Sequence, residues 1–496
     1  MQWSLTLNTL MRVLPVALAF LGALVVDSTR AAELYVGAAT ADITPEPPVV
    51  LAGMRIATRI ESRCLASVLA LESRQRDRVV DQAIVVSCDL CILPGIQQGF
   101  RRHVADRLPG FDVAKLFLAA THTHTAMMVY KNPYDEKDYG DAMQPNDYVP
   151  LLYERMAEAV VEAWEGRAAG AVAWGLGHAV VGANRRMAYA DGHAQMYGKT
   201  DDPKFRHPEG YEDHAVDVLC FYDHRRQLKA VAVTLACPAQ SAPRGQVSAD
   251  FWHDVRELLR KRYGAGLCVL GFCAPAGDQS PRRSFGTAGD ARMQKLRGLT
   301  QTQELGRRIA EAVEDVAAVI AADVRTDVPL VHRVRQVDLP ARIVSEAECA
   351  DAQKVCDEMD AEKAKGQGGR RRWYWRVYYG MVVDRYHAQQ KGERRVFPIE
   401  MHVLRLGDVA IATNPFELYL DYGVQIQGRS PAGQTILIQL ASAPLGYAGY
   451  VPTPRAVEGG GYSAEVTHNL VGPKGAQVLV DRTVEAIGAL WKNPSQ

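Results

Sequence analysis

Two histidines one residue apart, in the stretch THTHT at 121–125, are the side chains of this sequence best suited to bind a metal ion. His122 and His124 follow the apolar run LFLAA, and in an extended chain they would point to the same side. Imidazole is the commonest neutral metal ligand near physiological pH. The pair also fits a structural arrangement, with one histidine hydrogen-bonded in the core and the other exposed. Because catalytic zinc takes about three protein ligands and a water, the remaining ligands must come from elsewhere in the chain.

Two further polar residues follow apolar segments and have the chemistry of an active site. Ser280 lies in the turn AGDQSP at 276–281, which is not the G-x-S-x-G turn of a serine hydrolase. A serine in such a turn is more often structural than catalytic. Glu417, in TNPFELY, comes just after a predicted strand. Its carboxylate suits an active site, and it equally suits an interaction with the dipole at a helix N-terminus.

The elements that would position these residues alternate between apolar β-branched segments and helical patterns. This alternation predicts an α/β fold, with a layered β-sheet core flanked by helices. Polar clusters follow five of the predicted strands, and in open α/β sheets ligands bind outside the carboxyl ends of strands. We therefore expect these clusters to line one crevice. The five strands are predicted at 113–120, 228–237, 266–273, 409–414 and 434–442. The predicted helices are 147–165, 251–263 and 291–321.

Residues 345–392 differ in character from the rest of the chain. A charged helical stretch ends in glycines and is followed by the aromatic and basic stretch RRRWYWRVYYGMVVDRYHAQQKG. The pattern predicts a helical hairpin inserted between strands. Its aromatic side chains either pack on the body of the domain or form a lid or an interfacial surface over the active site.

The N-terminal segment and the overall charge restrict where the protein works. Arg12 precedes the apolar run 13–26, and the small residues of STRA then predict an export signal over 1–31, cleaved after Ala31. The run is short for a membrane span of roughly 20 residues, which favours a cleaved signal, and an uncleaved anchor is the alternative. The mature protein is predicted to be secreted or periplasmic. Lys plus Arg equals Asp plus Glu at 57 each, so no global charge favours nucleic acid.

Nine cysteines are spread over the chain, several of them inside apolar strands, which indicates buried free thiols rather than a disulfide scaffold. Cys88 and Cys91, in SCDLC, have the spacing of a redox pair, but nothing around them resembles a thioredoxin unit.

Several short motifs, taken in order, resemble those of the neutral ceramidase family (neutral/alkaline non-lysosomal ceramidases). They are VGAATADITP (36–45), THTHT, GANRR (182–186), SAD (248–250), GDQSP (277–281), NPFE (414–417) and YAGYVPT (447–453). The resemblance covers roughly residues 34–480, and 345–392 aligns poorly. It implies a single ceramidase-like catalytic domain over 32–496, without the carboxyl-terminal immunoglobulin-like domain of that family.

The resemblance also implies one zinc ion and a role for each matched residue. The zinc ligands would be His122, Glu417 and Tyr450. The catalytic and substrate-binding residues would be His124, Ser280, Tyr462 and Arg185. The second histidine ligand of the family falls at Pro238, and proline cannot bind a metal. His253, at the start of a predicted helix, is the favoured replacement and Cys237 the rival, while loss or remodelling of the metal site stays open.

The function implied by the resemblance is that of an exported zinc-dependent amidohydrolase, which cleaves the N-acyl bond of a sphingolipid or a related substrate. Two other functions are compatible with the sequence. The same fold would act on a polar glycan or N-acyl sugar, or a degenerate relative would bind a ligand without turnover. The expected partner is a small-molecule or lipid substrate and not nucleic acid, with peripheral membrane contact left open.

Overall fold

Two β-sheets packed face to face form the centre of this protein, as seen in a computed structural model. The structure describes residues 32–492 except 54, 77, 131–138, 368, 394–395 and 444–445, and it does not describe the side chains of 370–374. The predicted export signal at 1–31 lies outside the described residues.

The strands follow the apolar segments of the sequence closely. In chain order they are β1 (Glu33–Asp42), β2 (Val49–Leu51), β3 (Arg55–Ala57), β4 (Leu65–Gln75), β5 (Arg78–Cys88), β6 (Leu116–Ala120), β7 (Ala168–His178), β8 (Ala183–Asn184), β9 (Arg186–Tyr189), β10 (Ala194–Met196), β11 (Phe205–Pro208), β12 (Ala215–Asp223), β13 (Leu228–Leu235), β14 (Cys268–Cys273), β15 (Gln279–Ser280), β16 (Leu330–Pro340), β17 (Val396–Leu406), β18 (Val409–Thr413), β19 (Glu417–Leu418), β20 (Gln434–Ile438) and β21 (Tyr450–Val451). The larger sheet has the order β14-β13-β12-β7-β1-β4-β5-β6, and the smaller has the order β16-β17-β18-β20. Within these two sheets, the pairs β5–β6, β13–β14 and β18–β20 are parallel, and so is the separate short pair β19–β21.

Helices surround the two sheets. They are α1 (Ile96–Val104), α2 (Pro145–Glu165), α3 (Phe251–Tyr263), α4 (Thr287–Arg297), α5 (Gln301–Ile320), α6 (Glu346–Ala364), α7 (Arg370–Gln390), α8 (Leu420–Arg429), α9 (Pro454–Gly459) and α10 (Pro473–Lys492). Helices α2, α3 and α5 pack on the larger sheet, and α8 and α10 pack on the smaller one. Apolar side chains of both sheets meet between them in a third cluster that includes Phe117, Leu270 and Ile411. The predicted layered β-sheet core flanked by helices is confirmed.

One helix boundary was predicted wrongly. The pattern over 291–321 predicts a single helix, whereas the structure has two, α4 and α5. Gly298 ends α4 with φ at 68°, in the left-handed region that suits glycine. Thr300 then begins α5 as its N-cap, and its hydroxyl accepts a hydrogen bond from the backbone N–H of Gln303 (3.2 Å). Within the described part of the chain, no helix is both long and apolar enough to cross a bilayer.

A buried carboxyl group at the junction of the two sheets gives a pH prediction. Gln434 Nε2 donates to Asp217 Oδ1 (2.7 Å), but burial outweighs this bond and raises the pKa of Asp217 to about 7. The folded protein therefore keeps a proton that the unfolded chain loses above about pH 4, so stability falls as the pH rises from about 4 to about 7. We expect Asp217→Asn to raise the free energy of unfolding by up to about 4 kcal/mol at pH 8 and to leave it unchanged at pH 3. Urea unfolding at both pH values measures this, and an equal effect at the two would contradict it.

Residues 345–392 form a helical hairpin of α6 and α7, as the sequence predicts. The hairpin packs on the body of the domain through an apolar cluster in which Val382 and Val344 meet Val466. The buried guanidinium of Arg385, on α7, donates to the backbone carbonyls of Val466 (2.8 Å) and Asn469 (3.0 Å). This side chain fastens α7 to the segment 466–469.

Replacing Arg385 tests how firmly the hairpin is attached. We expect Arg385→Ala to speed amide hydrogen exchange in 463–470 and to lower the free energy of unfolding by about 1–3 kcal/mol, because buried carbonyl groups lose their donors. Arg376→Ala is the control, since the Arg376–Asp360 pair on the same hairpin is solvent-exposed and should contribute less than about 1 kcal/mol. Unchanged exchange in 463–470 would show that the guanidinium does not hold the hairpin.

Candidate active site

The five strand ends with polar clusters meet at one place, as expected. The parallel pairs bring the carboxyl ends of neighbouring strands together, and backbone hydrogen bonds then join the pairs. After β6, the N–H of His124 donates to the carbonyl of Ala239, which follows β13 (3.0 Å). After β20, the N–H of Gln439 donates to the carbonyl of Cys273, at the end of β14 (2.9 Å). Residues from distant parts of the chain are thus held beside one another.

His122 and Glu417 form the buried centre of this region. His122 Nε2 lies 3.2 Å from Glu417 Oε2, and each side chain is 5% exposed. Arg185 Nη2 lies 3.8 Å from the same carboxylate oxygen. The parallel pairing of β19 with β21 places Tyr450 opposite Glu417. The structure therefore brings together His122, Glu417, Arg185 and Tyr450, which the sequence resemblance had grouped.

The backbone at His122 is not extended as the sequence analysis assumed. Its φ is 61°, in the left-handed region that non-glycine residues rarely adopt and that is often found at functional sites. The two histidine rings nevertheless lie close, with centroids 4.8 Å apart. They meet because the chain turns sharply at His122, not because side chains alternate along a strand.

The hydrogen bonds of His122 fix which ring nitrogen is free. His122 Nδ1 lies 2.7 Å from the carbonyl oxygen of Cys91, which can only accept, so Nδ1 carries a proton and donates it. Without a second proton, Nε2 would direct a lone pair at the Glu417 carboxylate. A cation must lie between these two groups, either a proton on Nε2 or a metal ion. The donor set therefore fits a metal, since imidazole nitrogen and carboxylate oxygen are both zinc ligands.

The charges of this centre follow from burial and pairing. Burial raises the pKa of Glu417, but His122, Arg185 and the hydroxyl of Tyr447, which donates to Oε1, bring it down to about 2. Burial lowers the pKa of His122, yet Glu417 and Cys91 raise it well above its usual value. Burial and Glu417 raise the pKa of Tyr450 well above its usual value. Glu417 is therefore ionised at neutral pH, and Tyr450 keeps its proton unless a cation replaces it.

Ser280 belongs to a neighbouring network rather than to a histidine pair. Its side chain is fully buried, and Tyr197 donates to Ser280 Oγ (3.2 Å). Arg185 lies on the other side of Tyr197, and Arg185 Nη2 donates to the carbonyl of Gly277 (2.8 Å) and to the hydroxyl of Tyr450 (3.4 Å). Across the described residues, Ser280 Oγ has no histidine partner that could act as its base.

Cys91 is a member of the site that was not among the predicted site residues. Its Sγ lies 3.7 Å from His122 Nδ1. Ligand atoms of Cys91, His122 and His124 all lie within 4.8 Å of one another. Burial raises the pKa of the Cys91 thiol, but His124 and His122 bring it down to about 6. The sequence signal was its position in SCDLC, directly after β5 and beside the strand that leads to His122.

Aromatic side chains form the rim of the site. Tyr462 is 40% exposed, and its ring centroid lies 5.7 Å from Tyr450 and 4.6 Å from His468. Trp375, on α7 of the hairpin, lies 6.2 Å from Tyr462 and 5.1 Å from His468. The hairpin therefore packs on the body and also supplies side chains next to the site, while a role as a lid stays a prediction.

The two candidates for the replaced ligand make no direct hydrogen bond or ion pair with His122 in the described ranges, and their role as ligands stays a prediction. The His253 ring, in the first turn of α3, makes no hydrogen bond or ion pair within the described ranges, and only its backbone N–H bonds to Asp250 (3.1 Å). Cys237 is buried, and its thiol points to the carbonyl of Pro238 (3.5 Å).

Comparisons with known proteins connect this chain to others through structure. No family model matches the sequence, and no curated protein matches it. The structure of a ceramidase complexed with C2 matches with a TM-score of 0.67 and 17% identity, over 93% of this chain and 76% of that one. The crystal structure of the neutral ceramidase from Pseudomonas aeruginosa matches with a TM-score of 0.63 and 16% identity, over 92% and 75%. This chain therefore has the fold of a neutral ceramidase.

Proposed function

We propose that this protein is an exported, zinc-dependent hydrolase that cleaves the N-acyl bond of a sphingolipid or a related lipid amide. The observation that carries the proposal is the buried pair of His122 Nε2 and Glu417 Oε2, which lie 3.2 Å apart. Both atoms donate electron pairs, and they face one another. The likeness in fold to neutral ceramidases supports a lipid amide as the substrate.

His122, Glu417 and Tyr450 would hold the ion. Bound zinc would supply Lewis-acid chemistry, polarising the carbonyl group of an amide substrate. The carbonyl of Cys91 keeps the proton of His122 on Nδ1, so that Nε2 is the ligand atom. Tyr447 holds the other oxygen of Glu417 and fixes the orientation of the carboxylate.

Other side chains would bind and orient the substrate. Arg185 carries a buried positive charge, and its Nε has no hydrogen-bond partner among the described residues. The Nε2 of His124 is likewise buried and unpartnered there. These groups, with the hydroxyl of Tyr462 at the rim, would donate to an oxyanion as negative charge develops on the substrate carbonyl. Ser280 holds Tyr197 in place beside Arg185.

A second candidate function keeps the chemistry and changes the substrate to an N-acyl sugar. The aromatic rings of Trp375 and Tyr462 at the rim favour it, because sugars stack on such rings as readily as acyl chains pack on them.

Metal analysis combined with a substrate panel tests the proposal. We expect about one zinc per chain in purified protein and its loss in His122→Ala, with hydrolysis of fluorogenic lipid amides but not of N-acyl sugars. The control is His207→Ala, which changes an exposed histidine outside the site. Equal zinc content in wild type and His122→Ala would refute the assignment of the metal, and cleavage of the sugars alone would transfer the function to the second candidate. A zinc-loaded protein that cleaves neither class would be a binding protein.

A further inference from the structure

Arg185 and Arg186 are neighbours in GANRR, and their side chains have different partners. Arg185 faces Glu417 in the centre of the site, whereas Arg186 bonds to the loop that carries Tyr462. We propose that Arg186 is a positioning residue, which fixes Tyr462 at the rim of the active site through this loop. The inference rests on the proposed function, because Tyr462 acts on a substrate only if the protein is a hydrolase.

The loop that carries Tyr462 has little to fix its shape from within. Three glycines, 459–461, precede Tyr462. Gly460 and Gly461 have φ of 68° and 79°, in the left-handed region. Glycine has no Cβ and populates many backbone conformations with similar ease. Bonds from other parts of the chain must therefore select the one conformation that places Tyr462 beside the site.

The guanidinium of Arg186 supplies such bonds on both sides of the glycines. Its side chain is fully buried. Arg186 Nη1 donates to the carbonyl of Tyr462 (3.0 Å). Arg186 Nη2 donates to the carbonyls of Gly460 (2.7 Å) and Ala456 (3.3 Å). One rigid planar group thus holds three carbonyl groups, including that of Tyr462 itself.

A buried carboxylate fixes the orientation of this guanidinium. Arg186 Nε and Nη2 donate to the two carboxylate oxygens of Glu209 (2.6 and 3.0 Å), which is a bidentate geometry. The backbone N–H of Glu209 also donates to the carbonyl of Arg186 (2.7 Å). All three nitrogens of the guanidinium are therefore in use. Lysine, with a single nitrogen on a flexible stem, could not make the same set of bonds.

The side chain of Tyr462 would transmit the effect of Arg186 to the reaction. Its ring centroid lies 5.7 Å from that of Tyr450, a proposed metal ligand. After Tyr462 the chain is held without Arg186, because Asn469 Nδ2 donates to the carbonyl of Ser463 (2.8 Å). Loss of the bonds before Tyr462 would let its hydroxyl shift. A misplacement of about 1 Å can lower a rate by about 10²-fold.

A double-mutant cycle tests whether Arg186 acts through Tyr462. We expect Arg186→Lys to lower kcat for the lipid amide by about 10- to 100-fold with little change in KM, because the Tyr462 hydroxyl would act on the transition state. In the Tyr462→Phe background the same change should lower kcat by less than about threefold, since the displaced hydroxyl is already absent. The control is Arg155→Lys, which changes a guanidinium bonded to the carbonyl of Thr44 (2.8 Å) and should leave kcat unchanged.

Amide hydrogen exchange gives a second readout that does not depend on activity. Arg186→Lys should speed exchange in 459–463, and Arg155→Lys should leave it unchanged. If Arg186→Lys folds poorly, the combined variant Arg186→Met with Glu209→Gln takes its place, because it leaves no buried charge without a partner.

The outcomes separate this proposal from the one on which it rests. Equal losses of kcat in the two backgrounds, or unchanged exchange in 459–463, would overturn the role of Arg186 and leave the proposed hydrolase standing. A wild type that cleaves neither lipid amides nor N-acyl sugars would refute the proposed function instead. In such a protein exchange still decides the inference, because faster exchange in Arg186→Lys would support the hold on Tyr462 and unchanged exchange would refute it.

Discussion

Replacing Glu417 by glutamine is expected to lower kcat/KM for the lipid amide by at least about 10³-fold, which corresponds to about 4 kcal/mol of lost transition-state stabilisation. The amide has the shape of the carboxylate and can still accept the hydrogen bond from Tyr447, so the fold should persist. The negative charge that faces His122 and Arg185 is removed, however. A neutral group cannot hold the cation between itself and His122 Nε2, and zinc content should fall together with activity.

The control for this variant is the same chemical change at an exposed position. Glu458 lies on α9 with its side chain in solvent, and Glu458→Gln should leave kcat/KM unchanged. Steady-state kinetics, zinc analysis and circular dichroism of both variants give the three readouts. If folded Glu417→Gln retains activity within tenfold of wild type, the carboxylate has no part in the reaction.

The second large effect is on stability and concerns a buried ion pair beneath the site. Arg256, on α3, and Asp89, just after β5, are 1% and 0% exposed, and Arg256 Nη2 donates to Asp89 Oδ1 (2.9 Å). Asp89 Oδ2 also accepts from the backbone N–H of Leu65 (2.9 Å). We expect Arg256→Met to lower the free energy of unfolding by about 3–5 kcal/mol, because a carboxylate is left buried without its partner.

Unfolding in urea measures this effect, and two further variants interpret it. Asp89→Asn combined with Arg256→Met should recover much of the loss, since the uncompensated charge is gone. Arg429→Met should change stability by less than about 1 kcal/mol, because the Arg429–Asp481 pair is solvent-exposed. An Arg256→Met protein as stable as wild type would mean that the buried carboxyl group is neutral in the folded state.

Asp89 also connects this ion pair to the candidate active site. It lies two residues before Cys91, and Thr121, one residue before His122, donates to its Oδ1 (3.4 Å). Loss of the pair should therefore loosen both loops and weaken binding of the proposed metal ion without changing a proposed ligand.

The parts of the structure that follow from one segment of sequence could be predicted. The apolar runs gave the strands of the two sheets, and α3 begins and ends at the predicted residues 251 and 263. The polar clusters after five strands correctly indicated where the chain converges, because parallel strands bring their carboxyl ends to one edge. The motifs at His122, Arg185, Glu417 and Tyr450 then belong to one site because those strand ends meet.

The parts that depend on contacts between distant segments could not be predicted. Tyr447 joins the site by its hydrogen bond to Glu417, and Cys91 joins it by its contact with His122. Both contacts join different loops of the chain, and a single sequence does not say which loops meet. The left-handed backbone of His122 is likewise set by its surroundings, since nothing local favours φ of 61° at a histidine.

The parallel pairing of β19 with β21 has a consequence for the order of events in the cell. Glu417 reaches its place opposite Tyr450 only after that pairing forms, and Glu417 lies 295 residues after His122. A ribosome must therefore have made the chain as far as Tyr450 before His122 can meet its carboxylate partner in the finished arrangement. Nascent chains and fragments that stop before residue 450 would lack the complete set of proposed ligands, so we expect zinc to bind only after that point of translation.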